Sequence, residues 1–167
     1  MWKRVVRLAL WLLIALLLQA TMVSSLGSFL GQLDLILAIV CSVALLHGPQ
    51  AGAGFGLVAG LLRDVTLGFG LGFFALPLFV IGYGIGHLSR VVFRDSILVP
   101  FLAGLAGAAT QWLMLVLQNG FLYGHWISGR YMLQLLVLLL ANSLLVPVVY
   151  AVFNRQGERL VAQSRGN

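Results

Sequence analysis

Glycine returns every fourth residue through the stretch HGPQAGAGFGLVAGLLRDVTLGFGLG, residues 47–72. The series runs Gly48, Gly52, Gly56, Gly60, then Asp64 in step, then Gly68 and Gly72. Four residues make slightly more than one helical turn, so Gly52, Gly56 and Gly60 form a slowly drifting stripe without side chains. In water each interior glycine would cost a helix about 0.5–1 kcal/mol relative to alanine. In lipid the backbone can satisfy its hydrogen bonds only within itself, so a glycine-rich apolar segment still becomes helical. The bare stripe then admits a second helix at close range, as in small-xxx-small packing.

Composition says which solvent applies. The chain has 167 residues, 61% of them hydrophobic and only 8% charged. Soluble domains carry about 25% charged residues, so the expectation is an all-α integral membrane protein. The net charge of +6 does not imply nucleic-acid binding, because the ten Lys and Arg residues lie mainly at the ends of apolar runs and are not clustered into a face. The single Cys41 lies within an apolar run, which excludes a disulfide framework.

Six apolar runs can be traced: about 5–23, 33–46, 51–62, 71–88, 97–117 and 131–153. The first is long enough to span a bilayer and follows Lys3, Arg4 and Arg7, so a retained helix is favoured over a cleaved signal. The second and third are short for a slab about 30 Å thick. They are expected to be tilted, shielded by neighbours or extended at their ends, with a re-entrant pair as the competing arrangement. Gly48-Pro49 punctuates the turn between them, with proline acceptable in a helix's first turn. Gly82, Gly84 and Gly86, and Gly104, Gly107, Ala108 and Ala109, are further close-packing positions. The expected layout is one six-helix transmembrane domain over 1–153 and a basic cytoplasmic tail over 154–167.

Six spans place Lys3, Arg4, Arg7, Arg90, Arg94, Arg155, Arg159 and Arg165 on one side, leaving Arg63 and Arg130 on the other. The positive-inside rule puts the larger set, and both termini, in the cytoplasm.

Few groups are suited to chemistry. The carboxylates are Asp34, Asp64, Asp95 and Glu158, and the histidines are His47, His87 and His125. No helical metal-ligand spacing and no hydrolase, zinc or nucleotide motif occurs, so neither an enzyme nor a cofactor nor a metal site is expected. Asp34 and Asp64 map to the non-cytoplasmic ends of adjacent antiparallel spans and are the candidates for polar interaction. Asp34 is well placed to cap its helix. Asp64 continues the glycine stripe toward a neighbouring helix, whereas Arg63, about 100° away, is expected to snorkel to the headgroups.

The run GPQAGAGFGLVAGLLRDVTLGFGLGFFAL resembles the core of the rod shape-determining protein MreD family. The matching positions are Gly48, Gly52, Gly56, Gly60, Leu61, Asp64, Gly68, Leu71, Gly72, Ala75 and Leu76. The preceding QLDLILAIV is similar to that family's second span, with Leu33 where proline is usual. The resemblance implies a non-enzymatic scaffold of the bacterial elongation machinery, in the inner membrane. It implies MreC as the direct partner, with MreB, RodA and a class B penicillin-binding protein acting indirectly in lateral peptidoglycan synthesis. It further implies a compact bundle similar to the substrate-binding subunits of energy-coupling-factor transporters. The alternative function follows from that likeness: a vitamin-like small-molecule binding subunit using Asp34, Asp64 and Arg130. Under the first function the stripe of Gly52, Gly56, Gly60, Gly68 and Gly72 packs a partner helix, a second copy of the chain, or the chain's own helices.

Overall fold

The computed structural model describes residues 11–19, 34–68, 70–91, 98–124, 137 and 139–154. Lys3, Arg4, Arg7, Arg94, Arg130, Arg155 and Arg159, and the tail beyond residue 154, lie outside them. Among the described residues there are six helices and no strand, so the all-α expectation holds. We label them α1 (11–19), α2 (Leu35–His47), α3 (Pro49–Leu67), α4 (Ala75–Val91), α5 (Leu98–Tyr123) and α6 (Leu139–Asn154). Arg90 falls within the backbone of α4.

The 13-residue helix α2 forms the centre. Every residue from Ile36 to Leu45 is buried, as expected of a helix that is apolar all round. Helices α3, α4 and α5 pack on it, and Leu12, Ala15 and Val146 extend the same core onto α1 and α6. At one end of the bundle, Trp11 of α1 meets Phe153 of α6 with ring centroids 5.6 Å apart.

A single residue joins α2 to α3. Gly48 adopts φ 89°, and its N–H donates to the carbonyl of Ala44 at 2.9 Å, closing α2. Pro49 then opens α3 without needing a donor. A side chain at Gly48 would be strained in that left-handed region, which makes so short a connection a glycine position.

Helix α3 is longer than its apolar run. It continues through Arg63 and Asp64 to Leu67, because both charged side chains find partners inside the bundle. Helix α4 starts at Ala75 rather than at residue 71, and residues 71–74 form a turn instead. Within α5, Leu98–Gln118 is the one stretch among the described residues long and apolar enough to cross a membrane by itself. Leu35–His47, Ala75–Ser89 and Leu139–Asn154 are apolar but shorter.

The glycine stripe lies against α4 of the same chain. A Cβ placed on Gly52 would sit 2.5 Å from the carbonyl oxygen of Gly82. On Gly56 it would lie 2.2 Å from the oxygen of Leu78, and on Gly60 2.2 Å from Cα of Ala75. As the α3 number rises by four the α4 number falls by three or four, the signature of antiparallel helices in close contact. Gly86 completes the seam, where a Cβ would meet Cα of Pro49 at 2.4 Å. Gly68 and Gly72 play a different part: each has positive φ, and neither would bring a Cβ within 4 Å of anything. They shape the α3–α4 connection and take no part in the seam with α4.

Candidate functional site

The seam positions the two aspartates. Continuing the stripe, Asp64 reaches the turn that precedes α4. Its Oδ1 accepts from the N–H of Phe74 at 2.7 Å, and its Oδ2 from Gly72 at 2.8 Å and Ala75 at 3.4 Å. Helix α4 begins GFFAL, with no Ser, Thr, Asp or Asn to cap it. The carboxylate of α3 supplies that cap from outside, at the end where unsatisfied N–H groups and the helix dipole favour negative charge. Asp64 is completely buried.

Asp34 occupies a richer site. It is 3% exposed and caps its own helix, accepting from the N–H of Leu37 at 3.0 Å on Oδ1. The same oxygen accepts from Nε2 of Gln19 on α1 at 3.2 Å. Oδ2 accepts from Nη1 of Arg63 on α3 and from Nε2 of Gln111 on α5 at 2.7 Å. The backbone N–H of Asp34 donates to Oδ1 of Asn142 on α6 at 3.0 Å. Five helices therefore converge on one residue. The sixth joins through Phe74, just before α4, whose ring lies 4.1 Å below the Arg63 guanidinium.

The convergence follows from alternation of direction. Gln19 is the last described residue of α1, Asp34 precedes α2, Arg63 lies in the last turns of α3, Phe74 precedes α4, Asn142 lies near the beginning of the stretch described for α6, and Gln111 lies midway along the longer α5. Antiparallel packing of neighbouring helices brings these positions to one level of the bundle. Each of these polar groups stands nearly alone in an apolar run, where an unpaired polar side chain would be costly.

What this arrangement can do chemically is limited. An ionised carboxylate offers about four acceptor positions. Four donors fill those of Asp34, and three backbone N–H groups engage Asp64. The two aspartates do not pair with each other, and the snorkelling expected of Arg63 gives way to an internal salt bridge with its side chain 14% exposed. Among the described residues no group of three or more His, Cys, Asp or Glu side chains could hold a metal ion. His47 and His87 are both exposed, and His87 packs edge-to-face on Tyr83 at 4.8 Å. His125 and Arg130 lie outside the described residues.

Gln19, Gln111 and Asn142 were not singled out from the sequence. The signal was present: each is an isolated amide in a long apolar segment, and such groups in lipid seek each other in the bundle interior.

Residues 2–156 match the family model described as rod shape-determining protein MreD. Comparison with the curated proteins finds no match, and comparison with solved structures finds none.

Proposed function

The chain belongs to the MreD family of rod shape-determining proteins, and from that premise we propose that it is a six-span scaffold of the elongation machinery that binds MreC in the plane of the membrane. Membership supports a bacterial membrane protein that takes part in determining rod cell shape. MreB, RodA and a class B penicillin-binding protein would be reached through MreC, and lateral peptidoglycan synthesis would be organised by the assembly. Both termini lie in the cytoplasm in this account, which puts the Asp34 junction toward the outer face. The short helices reach across by tilt and local thinning of the bilayer, at a modest cost per ångström of mismatch.

One observation carries the scaffold proposal: Asp34, Asp64, Arg63 and the glycine seam are all engaged within the bundle. Asp34 is filled by four donors, Asp64 caps α4, and the glycine seam is occupied by α4. Much of what faces outward is apolar, including Leu57, Val58, Val65, Leu76, Leu144 and Val148. A single-span partner would therefore dock on that outer surface, and the glycine seam is withdrawn as its docking face. The same saturation of Asp34 and Asp64 counts against the vitamin-binding alternative, which needed both carboxylates for a ligand. A compact bundle like that of the energy-coupling-factor subunits remains compatible as a shape alone. The test is a pull-down of the tagged chain from native membranes. Co-purification of MreC is the expected result, and its absence while another membrane protein is captured in stoichiometric amount would overturn the assignment.

A further inference from the structure

Gln19 and Gln111 each spend the donor half of their carboxamide on Asp34. Chemistry fixes that orientation, since an ionised carboxylate only accepts hydrogen bonds. The acceptor halves are left over. Oε1 of Gln19 and Oε1 of Gln111 are buried and have no partner among the described residues. The two residues are 9% and 3% exposed, so bulk solvent does not satisfy them. Buried acceptors of this kind are rare and are commonly met by internal water.

We infer that the Asp34 junction is a water-binding site, in which ordered water donates to Oε1 of Gln111 and Oε1 of Gln19. Charge selects the ligand. A cation would have to enter beside the Arg63 guanidinium, which already neutralises Asp34. An anion would face two amide oxygens. A small neutral donor remains, and water also accepts, so it can take an N–H of Arg63 beyond the one given to Asp34. The Arg63 side chain, at 14% exposure, reaches from the junction to the surface of the bundle, where exchange with the surroundings can take place. The hydrated junction can trade hydrogen bonds between α1, α3 and α5 without leaving a bare charge in the bundle, as water does for broken backbone bonds in membrane helices.

The test is radiolytic labelling of the full chain in lipid nanodiscs, because water bound inside a protein generates hydroxyl radicals that oxidise adjacent side chains. Leu37 and Leu45 lie on the same helix and are both buried, but only Leu37 adjoins Asp34. The expected result is oxidation of Leu37 several-fold faster than Leu45, unchanged when sodium is replaced by choline and divalent ions are chelated. Equal, slow labelling of the two leucines would show a dry junction and overturn the inference. Labelling that disappears without sodium or divalent ions would overturn it in favour of a hydrated cation.

Discussion

Arg63 and Asp64 are neighbours on α3 whose side chains hold two different helices. Arg63 donates to the carboxylate that caps α2, while Asp64 accepts from the backbone that begins α4. One turn of α3 thus fixes the starts of the two helices it packs between. The opposite end of the same seam is fixed without any charge, by the approach of Gly86 to Pro49.

The seam makes the glycines unequal. Gly56→Ala and Gly60→Ala each force a methyl into the backbone of α4 and should destabilise the chain by about 1–3 kcal/mol, the range for overpacking. Gly54 and Gly84 are exposed helical glycines whose added Cβ would meet nothing within 4 Å. Gly54→Ala and Gly84→Ala should leave stability unchanged or raise it by up to about 1 kcal/mol. Thermal unfolding of the four purified variants in one detergent separates the two pairs, and equal effects would contradict the seam.

Loss of the borrowed cap should be local before it is global. Asp64→Ala strands three N–H groups at the start of α4 and should cost about 1–3 kcal/mol. Asp64→Asn keeps one acceptor oxygen and should fall between the variant and the parent. Hydrogen exchange at Gly72, Phe74 and Ala75 is the readout, with protection lost there first. Uniform loss across α2 and α4 would argue against a capping role.

Topology can be read from reporters. With both termini cytoplasmic, a fluorescent protein fused after Asn167 should be bright and alkaline phosphatase at that site inactive. Alkaline phosphatase inserted after Gly124 should be active. The reverse pattern would invert the bundle and move the Asp34 junction to the cytoplasmic side.

Much of this architecture was legible in the sequence, for reasons that also explain what was not. Four-residue spacing identified Gly52, Gly56 and Gly60 as a contact stripe, and Asp34 was recognisable as a cap from its place before an apolar run. The tertiary partner of the stripe was not encoded in its period, since Gly82 and Gly86 on α4 complement it just as a foreign helix would. Arg63 was misplaced because its angle on an isolated helix says nothing about a carboxylate on the helix before. Gln19, Gln111 and Asn142 are far apart in the chain, and only the packing of α1, α5 and α6 around the start of α2 brings them together, with Gln111 contributed from the middle of the longer α5. Gly68 and Gly72 share the stripe's spacing but belong to a turn, where periodicity has no packing meaning.

Asp34 holds the bundle together through the donors that converge on it. A double-mutant cycle tests this directly, with Asp34→Asn, Arg63→Gln and the combined variant compared by thermal unfolding of the purified chain. Breaking a buried ion pair by removing one partner typically costs about 3–5 kcal/mol, so each single variant should melt well below the parent. The combined variant should lose clearly less than the sum of the two, the sign of a direct coupling. Residues kept for function rather than stability often behave in the opposite way when removed. A parent-like or raised melting temperature for Asp34→Asn, with rod shape no longer supported in cells, would contradict the account.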